Sequence, residues 1–116
     1  MSSKSTSSPP LYLGEFELLV LLAILRLDHD AYGVTIRDAL EAETSREVAL
    51  GAIYKTLGRL EDKGYVSSRL GDPTPQRGGR RKKLYRLESL GSRALKQSVS
   101  DLRRLTRGLG RALEAL

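Results

Sequence analysis

The sequence has 116 residues, a formal net charge of +6, one histidine and no cysteine. This length fits a single domain with a modest core, and the lack of cysteine excludes a disulfide framework and a thiolate metal site, as suits a cytoplasmic protein. The longest apolar run, residues 18–25, is far shorter than the roughly 20 residues that a membrane-spanning helix needs, so we expect a soluble protein without a membrane partner.

The first ten residues contain five serines and two prolines but no apolar stretch, which predicts a disordered arm rather than a secretory signal. Residues 14–28 form the first predicted helix. Its expected core stripe consists of Phe16, Leu19, Val20, Ala23, Ile24 and Leu27. Four more leucines, at positions 18, 21, 22 and 25, extend the apolar surface around the cylinder. Such a helix needs burial on more than one side, so we expect a dimer.

A turn at residues 28–30 leads to a second predicted helix at 32–43, and a third follows at 49–63. The third helix places leucine or isoleucine at positions 50, 53, 57 and 60, and Gly64 ends it. The single histidine, His29, lies between two aspartates. Three adjacent loop residues rarely supply converging ligands, so we expect no metal and no cofactor.

Residues 65–70 and 80–87 predict two short strands, joined by a loop rich in proline and glycine whose tip should be mobile. Residues 88–116 predict one long helix, which Gly108 and Gly110 weaken near its end. Its apolar stripe consists of Leu95, Val99, Leu102, Leu105, Leu109, Leu113 and Leu116. The order of elements predicts a mainly α fold with a small β-hairpin: a winged helix-turn-helix domain at 11–87 and a C-terminal dimerisation helix at 88–116.

Positive charge is concentrated in one part of the chain. Residues 65–86 carry seven cations against one aspartate, so the other 94 residues sum to about zero. Within the stretch 77–83 the five cations are Arg77, Arg80, Arg81, Lys82 and Lys83. A localised basic block indicates a polyanionic partner, with nucleic acid favoured over an anionic membrane. The alternative is an edge strand kept soluble by its charges, but five cations in seven residues exceed that need.

The third helix offers a second candidate surface. Opposite its apolar stripe lie Gly51, Ala52, Lys55, Gly58 and Arg59. Small residues beside two cations would let this face enter a major groove closely, with Lys55 and Arg59 reaching phosphates or guanine edges. An ordinary solvated face is the alternative. The two glycines argue against it, because glycine inside a helix is costly without a close-approach reason.

Two stretches, residues 51–66 and 78–87, closely resemble the PadR family of bacterial transcription regulators. The resemblance implies a homodimer whose subunits each present a recognition helix and a wing to a palindromic operator. It implies that Tyr54 and Lys55 face DNA from the third helix, and that Gly79, Arg80 and Arg81 do so from the wing. Members are mostly repressors, and some are released by small aromatic molecules, although the short terminal region here lacks any cavity built from a larger C-terminal domain.

The resemblance also implies that the terminal helix of one subunit packs on the first helix of the other. The expected dimer interface consists of Phe16, Leu19, Leu22, Leu95, Val99, Leu102, Leu105 and Leu109. Relatives often start the third helix with Ser or Thr and the last helix with Thr. This chain has Ala49 and Glu88 at those places, so we expect the cap of the last helix to shift to Ser89. The expected DNA-binding residues are Gly51, Tyr54, Lys55, Arg59, Arg77, Gly79, Arg80, Arg81, Lys82 and Lys83.

Other functions remain open at this point. A winged-helix protein-interaction adaptor would use the basic wing to bind an acidic partner, and the same charges could bind RNA. An enzyme comes last, because the sequence has no cysteine nucleophile and no serine and histidine at a suggestive spacing. A preference for one duplex sequence over random DNA and RNA would separate a transcription regulator from an adaptor.

Overall fold

The computed structural model describes residues 11–72 and 81–116, so the predicted arm at 1–10 and the hairpin tip lie outside the described residues. The predicted fold class is confirmed, since helices and one two-stranded hairpin follow each other in the expected order. The elements are α1 (Glu15–Leu27), a 3-10 turn (Asp28–Asp30), α2 (Gly33–Glu43), α3 (Leu50–Asp62), β1 (Val66–Leu70), β2 (Lys83–Leu87), α4 (Ser89–Thr106) and α5 (Gly110–Glu114).

The core surrounds α1, which contacts α2, α3, β2 and α4. Its most buried face is rotated from the predicted stripe, because Leu21 is completely buried while Phe16, Leu19 and Leu27 are only partly buried. Leu22 and Leu25 are exposed on the other side of the helix. The prediction of apolar residues around the whole cylinder is therefore right, but the assignment of the inward face is partly wrong.

Helices α2 and α3 form the helix-turn-helix and pack through apolar side chains. Ile36 and Leu40 of α2 are buried, as are Ile53, Leu57 and Leu60 of α3. A polar link joins the two helices, and the Glu41 side chain accepts a hydrogen bond of 2.9 Å from the backbone N–H of Val48 within it. Gly64, just past α3, has a φ of +77°, which confirms the predicted glycine end of the helix.

The hairpin is antiparallel and places Ser68 opposite Tyr85 and Val66 opposite Leu87. Val66 and Tyr85 are buried and anchor the hairpin on the helices. The backbone N–H of Tyr85 also donates 2.8 Å to the carbonyl of Ala31, just before α2. The wing is therefore attached both to the end of α3 and to the start of α2.

The predicted single terminal helix is wrong, because the chain breaks between α4 and α5. Gly108 has a φ of +78°, a conformation that other residues adopt at a cost, and it separates Thr106 from Gly110. The predicted shift of the cap to Ser89 is also wrong. Glu88 is the N-cap of α4 and does not cap it through its side chain, which instead accepts a hydrogen bond from Ser67.

Candidate nucleic-acid interface

The outward face of α3 is open. Gly51, Lys55 and Gly58 are exposed and recur at spacings of four and three residues, opposite the buried stripe. A Cβ added to Gly51 or Gly58 would meet no atom within 4 Å. Within the part of the chain that the structure describes, the Lys55 ammonium has no ion-pair partner. This face therefore combines an unpaired cation with room for close approach.

The N-terminus of α3 belongs to the same open surface. Ala49 is its N-cap, and no described side chain caps the helix. Backbone N–H groups in the first turn of such a helix are free to bind an anion, and the helix dipole favours negative charge there. The Ala52 N–H already donates to the Ala49 carbonyl at 3.0 Å, so the donors left available to a ligand are those of Leu50 and Gly51.

Tyr54 ties α3 to the start of α2. The hydroxyl end of its ring lies over Gly33, where an added Cβ would overlap the Tyr54 hydroxyl oxygen. The side chain is nevertheless about half exposed. Tyr54 therefore packs against position 33 in a way that only glycine permits, while about half of its side chain remains exposed.

The base of the wing meets the same corner of the molecule. The Lys82 ammonium lies 4.5 Å from the centre of the Tyr32 ring, and Tyr32 directly precedes the Gly33 that Tyr54 covers. The next lysine, Lys83, lies 3.9 Å from a carboxylate oxygen of Glu61 on α3. The wing base and α3 thus adjoin through Tyr32, Gly33 and Glu61, on one side of the folded unit.

The described wing cations differ in their surroundings. Arg81, Lys82 and Lys83 are all exposed, but Lys82 also rests against an aromatic ring and Lys83 lies near a carboxylate. Arg69 and Arg86 lie on the face of the hairpin opposite Tyr85 and Lys83, and the Arg86 guanidinium is 3.6 Å from Glu88. Three predicted wing residues, Arg77, Gly79 and Arg80, lie outside the described residues.

Arg59 lies at the C-terminal end of α3 and leans toward α1 rather than standing clear of the surface. Its guanidinium is 3.9 Å from Glu17 and donates a 3.3 Å hydrogen bond to the Thr56 hydroxyl. The exposed fraction of its side chain, about half, still lets it reach a phosphate. Arg59 therefore lies on the open face and at the same time contacts Glu17 within its own subunit.

Glu17 is a buried carboxylate that the sequence interpretation did not single out. Both of its oxygens accept hydrogen bonds from the Lys63 ammonium, at 2.9 and 3.1 Å, and one also accepts the Gly14 backbone N–H at 3.0 Å. Burial alone would raise the pKa of Glu17, but these hydrogen bonds and the charges of Lys63 and Arg59 outweigh it, so its pKa lies below the ordinary value. The carboxylate is therefore charged at neutral pH.

A signal for Glu17 was present in the sequence. Positions 17, 20, 21 and 24 share one face of α1, and an acid at the first of them stands in line with three buried apolar residues. Tyr32 was also missed as a support for the wing, because its contact with Lys82 joins residues 50 positions apart. A contact between residues so far apart along the chain leaves no pattern among neighbouring residues.

The apolar surface predicted for dimerisation is only partly open. Leu102, Leu105 and Leu109 are exposed, as is Leu22, whereas Phe16, Leu19 and Val99 pack partly against the subunit's own core. Leu95 is 5% exposed and belongs to that core, so its side chain offers almost no area to a second subunit. An apolar groove also runs between α1 and α2. It is lined by Leu19, Leu22, Ala23, Leu25, Ala39 and Leu40, with Arg26, Glu43 and Thr44 completing the lining.

Residues 11–72 and 81–116 contain no candidate metal site and no candidate membrane span. No group of His, Asp or Glu side chains among them could hold a metal ion. None of their helices combines the length and hydrophobicity required to cross a membrane.

Comparison with known proteins identified one family. The family described as transcriptional regulator PadR-like matches residues 21–97. A PadR family transcription regulator from Clostridium difficile is similar in structure, with a TM-score of 0.70 and 24% identity over 86% of this chain and 99% of the other. A PadR family regulator from Eggerthella lenta gives 0.62 and 25% over 87% and 85%.

A mutant MarR from E. coli, complexed with operator DNA, has a TM-score of 0.57 and 25% identity over 90% of this chain and 61% of the other. No curated protein matches the chain. The family match runs from α1 into α4 and includes α3 and both strands of the wing. The chain therefore belongs to the PadR-like family of transcriptional regulators and is a DNA-binding regulator rather than an enzyme.

Proposed function

We propose that this chain is a cytoplasmic repressor that binds a palindromic operator as a homodimer. Each subunit inserts α3 into a major groove, with Lys55 reaching a base edge or phosphate and Tyr54 beside it. The wing follows the adjacent backbone through its arginines and lysines. The observation that carries the proposal is the open face of α3, where an unpaired lysine lies between two glycines with empty space around them.

The two glycines support groove insertion rather than a solvated surface. Each costs a helix about 1 kcal/mol relative to alanine, so two on one face need a compensating use. A backbone without Cβ atoms can approach base edges more closely, which shortens the reach required of Lys55. The N-terminus of α3 has no side-chain cap, so its free backbone N–H groups can donate hydrogen bonds to a phosphate.

The wing contributes mainly electrostatic attraction. Arg81 is exposed just before β2, and Lys82 and Lys83 are held at the base by contacts that a polyanion can replace. Neutralising several phosphates releases counterions, so affinity should fall steeply as salt increases. This attraction does not depend on sequence, which leaves base discrimination to α3.

The apolar surface that a single subunit leaves uncovered supports the proposal of a homodimer. Every residue from Leu102 to the end of the chain is exposed, including Leu105 and Leu109. Exposed leucines also line the groove between α1 and α2, notably Leu22 and Leu25. Pairing the terminal segment of one subunit with α1 of the other would bury both surfaces and produce two recognition helices related by a two-fold axis.

The groove between α1 and α2 also bears on the aromatic effector that the family resemblance implied. We assign the groove to dimerisation, so an effector that binds there would compete with assembly and release the operator. A titration of the operator complex with small aromatic acids tests this part of the proposal. Release accompanied by dissociation of the dimer is the expected result, whereas release from an intact dimer would contradict the assignment.

Fragments of the source genome that bind the protein would identify the operator. Lys55→Ala should then lower operator affinity by roughly one to two orders of magnitude, the scale of one lost bidentate base contact. Binding to random duplex should change little. Fluorescence anisotropy on both duplexes measures the effect. In the Arg80→Ala/Arg81→Ala variant, the slope of log affinity against log salt concentration should become shallower by up to about two, one for each lost phosphate contact.

Lys96→Ala is the matched control, because Lys96 is an exposed lysine on α4 and the substitution removes the same charge. It should leave operator affinity within about twofold of the starting protein, as expected for long-range charge effects at physiological salt. Equal affinities of Lys55→Ala and the unmodified protein would contradict the assignment of α3. Failure to prefer any duplex over random DNA would favour the adaptor function instead.

A further inference from the structure

We infer that Glu17 fixes the angle between α1 and α3 and thereby sets the operator half-site spacing that the protein accepts. The inference rests on the proposed function, because spacing has meaning only for a dimer on two half-sites. It concerns a positioning residue, since the Glu17 carboxylate lies inside the subunit and touches no DNA. Its partners, Lys63 and Arg59, both belong to the C-terminal end of α3.

The position of Glu17 makes it a link between two functional helices. It lies in the first turn of α1, the helix whose Leu22 and Leu25 belong to the uncovered apolar surface. It holds Lys63, the C-cap of α3, through both carboxylate oxygens. A subunit's dimerisation surface and its recognition helix are therefore joined by one directional contact.

Apolar packing alone would hold these helices less precisely. The buried face of α1 meets that of α3 through aliphatic side chains, and such contacts have no directional preference. An ammonium hydrogen-bonded to both oxygens of a carboxylate prefers a narrow range of distances and angles. Because this contact lies at one end of the α1–α3 packing, it opposes rotation of α3 about the apolar contact.

The carboxylate is itself held in place, as a positioning residue requires. The Gly14 backbone N–H donates to Glu17 at 3.0 Å, and only 7% of the residue is exposed. Glu15, two residues earlier, also forms an ion pair, at 2.6 Å with Arg46. That pair differs in two respects: Glu15 is largely exposed, and Arg46 lies in the link before α3 rather than on α3 itself.

A change in the α1–α3 angle would change the half-site spacing that the dimer can bind. Adding one base pair between half-sites rotates one of them by about 34° and shifts it by about 3.4 Å. A dimer with a fixed angle should discriminate strongly against this change. If α3 can rotate on α1, the same dimer should tolerate it.

The experiment compares half-site spacings in the Glu17→Gln protein. The probes are the selected operator, derivatives one base pair longer and shorter, and a duplex with a single half-site. The unmodified protein should prefer its own spacing by about tenfold or more, the scale of one mismatched base pair. In Glu17→Gln we expect this preference to fall to about threefold or less, while affinity for the single half-site stays the same.

Three variants separate positioning from a general loss of structure. Lys63→Gln breaks the same contact from its more exposed partner and should reproduce the loss of spacing preference, even if Glu17→Gln does not fold. Lys63→Arg retains an ion pair to the carboxylate and should retain the preference. Glu15→Gln removes the neighbouring exposed carboxylate of α1 and should also leave the preference unchanged.

Two results would overturn the inference. One is an unchanged spacing preference in folded Glu17→Gln and Lys63→Gln proteins. The other is a loss of single-half-site affinity as large as the loss on the operator, which would mean that the contact supports α3 itself rather than its angle. If the unmodified protein selects no operator with two half-sites, the proposed function fails and the angle has no bearing on it.

Discussion

At the scale of one residue, substitution of Gly58 should have opposite effects on stability and on DNA binding. It lies in the middle of α3, exposed, with no atom within 4 Å of the position where a Cβ would stand. Gly58→Ala should therefore stabilise the folded subunit by up to about 1 kcal/mol, because alanine favours the helix. The same methyl group should hold α3 away from the groove and weaken operator binding by about tenfold.

Chemical denaturation and fluorescence anisotropy on the same preparation test both halves of this prediction. Gln97→Ala is the control, since Gln97 is exposed on α4, away from α3, and alanine also favours the helix there. It should leave operator affinity unchanged. A Gly58→Ala protein that is both more stable and equally active would show that α3 does not approach DNA along this face.

Single residues were predictable where one local pattern determined them. Lys55, Gly51 and Gly58 could be assigned to the open face because the buried stripe of α3 fixes what lies opposite. The role of Glu17 could not, since its partners are 42 and 46 positions away along the chain. An acid on an apolar helix face suggests a buried partner, but the sequence alone does not say which cation supplies it.

At the scale of elements, the contact between Tyr54 and Gly33 couples α2 to α3. An alanine at position 33 would place its Cβ within 2.5 Å of the Tyr54 ring and force the side chain outward. Gly33→Ala should therefore destabilise the protein by about 1 kcal/mol and weaken operator binding. In a Tyr54→Ala background the same change meets no ring and should be neutral or stabilising.

A double-mutant cycle on the free energy of unfolding measures this coupling. An interaction energy of about 1 kcal/mol between the two positions is expected, within the range for residues in direct contact. Gly33→Ala combined with Lys96→Ala on α4 should be additive and serves as the control. Additive effects of Gly33→Ala and Tyr54→Ala would mean that the contact does not hold the helix-turn-helix together.

Elements with strong periodicity or clear end signals were predicted to within one or two residues, and those that depend on tertiary contacts were not. The first three helices begin and end close to the expected positions, and Gly64 ends α3 as glycine usually does. The terminal segment kept its leucine periodicity across Gly108, so the pattern alone predicted one helix. The chain instead turns at that glycine, where its positive φ ends α4 after Thr106.

At the scale of the whole molecule, the sequence was most informative about charge and least informative about which leucines stay uncovered. The basic block was visible without any structure, because residues 65–86 hold the entire net charge. The leucine stripe of the terminal segment continues without a visible boundary from core positions to exposed ones. The structure divides it, with Leu95 in the core and Leu102, Leu105 and Leu109 exposed.

That division yields a prediction about assembly. In the single subunit Leu102 is 50% and Leu109 is 43% exposed, so Leu102→Asp/Leu109→Asp should not disturb the subunit core. Two charges on the apolar surface should prevent pairing and yield folded monomers, because burying an unpaired carboxylate is costly. Sedimentation equilibrium measures the mass and circular dichroism the helical content. Leu70→Asp, on the exposed part of β1, should remain a dimer.

Loss of pairing should also reduce DNA binding, although both leucines belong to the terminal segment rather than to the wing or α3. The two half-sites lie about 34 Å apart and must be held together for the second contact to become intramolecular. Monomers lose this advantage, so operator affinity should fall by roughly a hundredfold while affinity for a single half-site stays the same. An intact dimer in the double variant would place the interface elsewhere. A monomer that binds the operator as tightly as the unmodified protein would mean that one subunit is sufficient for recognition.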